Sequence, residues 1–278
     1  MPVENRVSAR AGTGSNMQHV LVFDVDGTLT ASRCAMDAGF ADYFRQLVAA
    51  YPVYLVTGSD WGKLCEQVPA DIREAVAGIF CCSGNELWYR GKPVFAMSHS
   101  FPDELSLVAM KLVGQSRFPL RTGRHVEART GTLNVSVVGR NASIAERRSY
   151  VRHDQRNRER EGMIAAIEAS FPDYEAHRGG EISIDISPRG WNKGRVAKEI
   201  VSRHPGAQIS FFGDRISDRG NDAPLARALR QIGGQHHVQE VREPSETFAI
   251  LAERYPFGVT SHRKASHRKA GYRKAGAA

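Results

Sequence analysis

Short apolar runs separated by amphipathic stretches set the first reading of this chain. Val20 to Phe23, Val53 to Val56 and Ile209 to Phe212 are β-type runs that stop at Asp, Gly or hydroxyl residues. Between them, apolar residues recur at helical spacing over Met36 to Val48, Trp61 to Val68 and Gly194 to Val201. Alternating strand and helix predicts an α/β fold with a parallel sheet and helices on both faces. In such a sheet ligands gather at the carboxyl ends of the strands. Asp24, Thr57 and Asp214, which follow the three runs, are therefore expected at one edge although they lie far apart in sequence.

Between Pro93 and Pro188 the pattern changes. His125 to Arg129 and Thr132 to Val138 alternate and meet at Thr130-Gly131, which reads as a hairpin. A helix should follow, with Ser143 as its cap, Glu146 three residues on, and an apolar stripe of Met163, Ile164, Ile167 and Phe171 near its end. Its charged middle, Arg147 to Glu161, is most simply a solvated face. Glu181 to Ile186 alternates again. The expected organisation is a discontinuous core of residues 18–92 and 188–260, with residues 93–187 inserted as an α+β cap.

The chemistry begins where the first run ends, in Asp24-Val25-Asp26-Gly27-Thr28. A carboxylate can attack phosphorus and form an aspartyl-phosphate if a hard cation offsets the repulsion between anions. Asp24 is the expected nucleophile. Residues two apart on an extended segment project to the same side, so Asp26 can serve as general acid and base beside it. A calcium loop does not fit, because Gly27 comes two places too early and Ala35 stands where a bidentate Glu is needed. Thr57, Gly58 and Ser59 suit phosphate oxygens, and Asp214 and Asp222 supply further carboxylates. The phosphoryl group carries roughly two negative charges near neutrality, and Lys193, at the start of a predicted helix, is placed to meet them.

Asp24-Val25-Asp26-Gly27-Thr28, Thr57-Gly58-Ser59, Lys193, and Gly213-Asp214 with Gly220-Asn221-Asp222 resemble the four motifs of haloacid dehalogenase-type phosphotransferases, in order. That resemblance implies a Rossmann-like core, an Asp-phosphate intermediate, and Mg²⁺ held by Asp24, the backbone carbonyl of Asp26 and the motif-four carboxylates Asp214 and Asp222. The cap narrows it. Glu127 to Arg140, then Gly179-Gly180-Glu181-Ile182-Ser183-Ile184-Asp185 and Gly190-Trp191-Asn192-Lys193, are similar to eukaryotic-type phosphomannomutases with a type IIB cap. The resemblance implies a hexose-6-phosphate to hexose-1-phosphate mutase, most naturally acting on mannose phosphates and activated by a hexose-1,6-bisphosphate. It places Arg33, Arg129, Arg140, Asn134, Ser183 and Asp185 on the sugar and its second phosphate. Guanidinium forks suit that phosphate because each bonds two oxygens at once. Thr122 stands where the family has an arginine, with Arg121 and Arg124 near enough to substitute. Thr57-Gly58-Ser59 and Ser83-Gly84-Asn85-Glu86 also depart from the family pattern, toward Mg²⁺-dependent sugar-phosphate phosphatases with the same type of cap. If the chain forms a homodimer, the cap is the surface assigned to it.

Composition adds bounds. With 278 residues and 41% hydrophobic content the chain can bury a substantial core and a smaller satellite. No stretch approaches the roughly 20 apolar residues of a membrane span. Residues 1–17 read as a flexible polar arm without the apolar centre of a secretion signal. Cys34, Cys65, Cys81 and Cys82 lack metal or disulfide spacing, so a reducing cytoplasm is expected. The net charge of +8 is unevenly placed: residues 261–278 repeat a five-residue basic unit with six Arg or Lys and no acid, leaving +2 for the rest. Such a tail is expected to be disordered, touching polyanions non-specifically if at all. Deleting residues 261–278 should leave sugar-phosphate kinetics unchanged and weaken retention on heparin at low salt. A substantial loss of turnover would place the tail at the active site instead.

Overall fold

The computed structural model describes residues 18–217 and 220–257. The expected N-terminal arm and basic tail lie outside these residues. The first apolar run forms β1 (His19–Phe23), and its side chains part to the two faces of a sheet as the two-residue period requires. Leu21 and Phe23 enter the same apolar cluster as Phe40, Phe44 and Leu47, while Val20 and Val22 enter the one that holds Val196, Ile200, Leu225 and Leu229. Helix α1 (Ala38–Ala50) starts where the Asp37 carboxylate accepts the Phe40 N–H, and it covers the first face. Next come β2 (Val53–Val56), α2 (Trp61–Gln67), α3 (Ala70–Ala75) and β3 (Gly78–Cys81).

Two further strands, β4 (Glu86–Tyr89) and β5 (Lys92–Ala96), turn back antiparallel at this side of the sheet. The cap boundary expected at residue 93 falls inside β5, whose residues pair with β4. Pro93 is tolerated there because β5 is an edge strand that can spare an N–H.

The chain then forms α4 (Asp103–Gln115), β6 (Val126–Arg129), β7 (Thr132–Ser136), α5 (Ile144–Asn157), α6 (Glu159–Ser170), β8 (Tyr174–Gly179) and β9 (Ser183–Pro188). These four strands make a separate antiparallel sheet in the order β6-β7-β9-β8. Its apolar face packs with α4, α5 and α6 around Leu105, Tyr150, Ile164, Ile167 and Ile184. The Ser143/Glu146 capping box forms as read from the sequence. The single helix expected after it does not: Arg158 takes a left-handed conformation (φ 52°) and divides α5 from α6. Nor is Arg147 to Glu161 simply a solvated face, because Arg147, Asp154 and Arg160 are buried. The Asp154 carboxylate accepts both the Arg160 N–H and its guanidinium at 2.8 Å, which compensates the two charges inside the cap.

The chain returns to the first sheet through α7 (Gly194–Arg203), β10 (Gln208–Gly213), α8 (Ala223–Ile232), β11 (His237–Glu240) and α9 (Pro244–Arg254). The completed order is β11-β10-β1-β2-β3-β4-β5, parallel from β11 to β3. Parallel register of β1 with β2 and β10 brings the ends after Phe23, Val56 and Gly213 together, as the pattern predicted. Among the described residues no helix is long and apolar enough to cross a membrane.

Gly139, after β7, has φ 92°, and a Cβ there would lie 2.0 Å from the Thr122 carbonyl oxygen. Both the left-handed backbone and the close approach require glycine. Gly139→Ala should therefore cost at least about 2 kcal/mol, to be read from chemical denaturation. A variant as stable as the parent would show that the segment reorganises freely.

Candidate active site

Asp24 leaves β1 buried, its backbone N–H bonded to the Phe212 carbonyl on β10. Asp214 follows β10, and Asp222 precedes α8. Carboxylate oxygens of the three lie within 4.8 Å of one another. Glycines make this proximity sterically feasible. A Cβ on Gly27 (φ 86°) would fall 2.4 Å from Asp214 Oδ2, and one on Gly213 would fall 2.7 Å from Asp222 Oδ2.

Three acids this close repel unless cations intervene. Lys193, fully buried just before α7, donates from Nζ to Asp24 Oδ1 and, at 2.7 Å, to Asp222 Oδ1. Burial works against its charge, but Asp222 and Asp24 outweigh that and hold the ammonium above the usual lysine pKa. Asp222 also accepts the Arg215 N–H at 3.1 Å. Burial raises the Asp24 carboxyl well above the usual range, and Asp222 adds to the shift. Burial also pushes Asp214 up to about 6, against the opposing Arg215 guanidinium. Lys193 bonds two of the carboxylates and the Arg215 guanidinium stands 3.4 Å from Asp214 Oδ2, so three carboxylates face two cations. The all-oxygen donor set of this centre suits a hard divalent cation.

Asp26 lines the same cavity as Asp24 and Asp214, and its carboxylate is bonded by groups outside the acidic trio. Its Oδ1 accepts the Arg33 N–H at 3.1 Å and Gln67 Nε2 at 2.8 Å, and its Oδ2 faces the Ser59 hydroxyl at 3.3 Å. Thr57 is buried, and its hydroxyl accepts the Ser59 N–H at 3.0 Å. It shapes the turn, while Gly58 and Ser59 line the cavity.

That cavity, about 360 Å³, runs from Asp24, Asp26 and Asp214 to the strands of the second sheet. Its far wall carries Arg129, Asn134, Arg140, Ser183 and Asp185, all singled out from sequence, with Arg33 entering from the loop after Asp26. Register explains the grouping: β7 pairs with β9 so that Asn134 faces Asp185, whose Oδ1 accepts the Asn134 amide. One oxygen of Glu127 holds two of the arginines, at 2.8 Å from Arg129 Nη2 and 3.3 Å from Arg140 Nε. Burial pushes the Arg140 guanidinium down to about 10, helped by Arg129 and Arg33. Arg129 is shifted the other way: against its own burial it is held up by Asp185 and Glu127, so both guanidinium groups stay charged side by side at this wall.

Sequence reasoning missed several members, among them Arg215 and Arg147. Arg147 also lines the cavity, with Nε donating to the Ala142 carbonyl and Nη2 to the Arg140 carbonyl, both at 2.9 Å. The signal was its place one turn after the Ser143 cap, which aims the side chain back toward the helix start. Arg121, expected as a substitute for the missing cap arginine, is spent instead. It donates to the carbonyls of Val113 (2.9 Å), Ser116 (3.0 Å), Leu120 (2.9 Å) and Phe118.

A family model described as eukaryotic phosphomannomutase matches residues 40–255. Phosphomannomutase of Saccharomyces cerevisiae is 31% identical over 85% of this chain and 94% of its own length. That of Galdieria sulphuraria is 33% identical over 81% and 90%. Among solved structures, the trehalose-6-phosphate phosphatase C-terminal domain of C. albicans shares the fold, with a TM-score of 0.59 and 15% identity over 85% of this chain and 91% of that one. With the family model matched over residues 40–255 and a relative 31% identical over most of both chains, the chain belongs to the eukaryotic phosphomannomutase family.

Proposed function

We propose that the protein is a phosphomannomutase that interconverts hexose-6-phosphate and hexose-1-phosphate, with mannose phosphates as substrates and a hexose-1,6-bisphosphate as activator. The observation that carries this reading is the cavity with an acidic centre at one end and an arginine cluster at the other. A mutase must hold its substrate by either phosphate in turn, and so it needs two anion-handling ends. Asp24, Asp214 and Asp222, with the Asp26 backbone carbonyl, would hold Mg²⁺, which when bound offsets the charge of the transferring phosphoryl group.

The residues divide the remaining work. Asp24 attacks phosphorus and becomes the aspartyl-phosphate. Lys193 orients Asp24 and opposes the upward push that burial and Asp222 exert on its carboxyl. Asp26 gives a proton to the departing sugar oxygen and later takes one from the attacking hydroxyl. Arg33, Arg129, Arg140 and Arg147 grip the phosphate that is not being transferred, while Asn134, Ser183 and Asp185 orient the sugar hydroxyls. Gly58 and Ser59 line the transferring end. The cysteine spacing fits no disulfide framework, so the setting proposed for the enzyme is a reducing compartment such as the cytoplasm.

The direct test is incubation with mannose-1-phosphate and Mg²⁺, with and without a hexose-1,6-bisphosphate. Isomerised product should form faster with the bisphosphate. Release of free phosphate exceeding isomerisation in its presence would replace the mutase by a sugar-phosphate phosphatase.

Asp24→Asn should abolish turnover while leaving thermal unfolding close to the parent, since the amide is nearly isosteric and a poor nucleophile. More than a few per cent residual activity would end the covalent mechanism.

Arg140→Ala removes a charged hydrogen-bond partner worth about 1.5 to 3 kcal/mol, or roughly tenfold to hundredfold in mutase kcat/KM. Hydrolysis of a small phosphate ester lacking a second anionic group should barely change. An equal loss with both substrates would detach Arg140 from the distal phosphate.

A further inference from the structure

Gln67, the last residue of α2, is buried to 1% exposure with its amide turned toward Asp26. Nε2 donates to Asp26 Oδ1 at 2.8 Å and to Thr30 Oγ1 at 3.0 Å. The same Oδ1 accepts the backbone N–H of Arg33 at 3.1 Å, from a residue held at φ 62°. Oδ2 meets only the Ser59 hydroxyl among the described residues' hydrogen bonds, at 3.3 Å, on a side chain that lines the cavity. The two oxygens of this carboxylate are therefore unequal. An oxygen already accepting two N–H bonds in a fixed frame cannot take a proton without setting a donor against a donor.

We infer that Gln67 is a positioning residue that, with the Arg33 N–H, occupies Asp26 Oδ1 and reserves Oδ2 as the atom that exchanges the proton with substrate. The inference deepens the phosphotransferase reading and rests on it. In the forward step an Asp24 carboxylate oxygen bonds to phosphorus and the bond from phosphorus to the sugar oxygen breaks. Its electron pair stays on that oxygen, which takes the proton from Asp26 Oδ2. The return step reverses each of these moves. Without the amide, the carboxylate can turn about its Cβ–Cγ bond and present either oxygen to the Ser59 side or to the loop. Proton transfer loses its geometry while the attack by Asp24 keeps its own.

Leaving groups separate these effects. p-Nitrophenolate departs as a stable anion without a proton, whereas phenolate and a sugar alkoxide need one. In full-length Gln67→Leu, kcat for the sugar phosphate should fall roughly tenfold to hundredfold with KM within about threefold. Single-turnover release of phenol from phenyl phosphate should fall alike. Single-turnover release of p-nitrophenolate should stay within about threefold of the parent. Thr30→Val, which removes the other Gln67 bond but not the one to Asp26, should keep sugar turnover within about threefold.

Equal slowing with phenyl and p-nitrophenyl phosphate would overturn the inference, making Gln67 a general staple of the loop. So would unchanged turnover in Gln67→Leu, or Thr30→Val matching it. A parent enzyme that cleaves both phenyl esters but ignores sugar phosphates would sink the substrate reading alone, and the two phenyl esters would still decide the role of Gln67.

Discussion

The buried ammonium of Lys193 is the interaction on which the active centre depends. Three carboxylates from two strand ends and a helix start cannot share one dry corner unaided, since desolvation and mutual repulsion both favour protonation. Lys193 bonds two of them at once from a completely buried position, and its amine keeps its charge because those partners outweigh the burial. The surrounding fold serves this placement. Parallel pairing of β10 with β1 sets Asp24 against the Asp214 turn, and the return of the chain from the second sheet delivers Lys193 to the head of α7. With the Arg215 guanidinium 3.4 Å from Asp214 Oδ2, two cations face three carboxylates, an imbalance that favours a divalent ion.

The second sheet is not hung loosely over this corner. Asn85, fully buried at the end of β3's turn, donates from Nδ2 to the Gly131 carbonyl and the Thr132 hydroxyl, each at 3.4 Å, in the β6–β7 hairpin. Arg129 of the same hairpin reaches the Gly58 carbonyl at 3.4 Å. All three contacts are long for hydrogen bonds and so contribute little each. They register the arginine-bearing wall against the phosphoryl-handling loops without locking it. Gly131 has φ 64°, and a Cβ there would press on Asn85 at 2.8 Å, so the tight turn and the seam require the same glycine.

Much of this was legible in the sequence, and the legible part has a physical logic. β1, β2 and β10 declared themselves because strands in a covered parallel sheet are short apolar runs, and their end residues carry the chemistry by the geometry of that sheet. The Ser143 cap was readable because its mechanism is local. Long-range compensation was not. The helix break at Arg158 and the burial of Arg147, Asp154 and Arg160 come from charges that satisfy one another and nearby carbonyls across the cap. A local window counts such residues as polar and assigns them to solvent. Strand β8 was missed for a related reason, since Tyr174, Glu175, His177 and Arg178 lack the apolar alternation that marks a half-buried strand. β5 failed as a boundary because pairing, not composition, decides where the first sheet ends.

Both ends of the cavity are electrostatically unsatisfied, in opposite senses. At one end, carboxyls are raised by burial and by one another; at the other, Arg140 is lowered by burial and by neighbouring arginines. Either cluster alone would be a cost to the folded chain with no structural return. Glu127 illustrates how that cost is contained: burial favours its neutral form, yet Arg129 holds it ionised, and its single oxygen keeps two guanidinium groups side by side. Glu127 offers far fewer acceptors than a phosphate, so it orders the arginines without saturating them. A ligand that presents an anionic group to each end, one through a cation and one directly, relieves both clusters together. On the proposed reading a hexose bisphosphate would meet each end with the charge that end lacks, whereas a sugar with one phosphate meets only one end at a time.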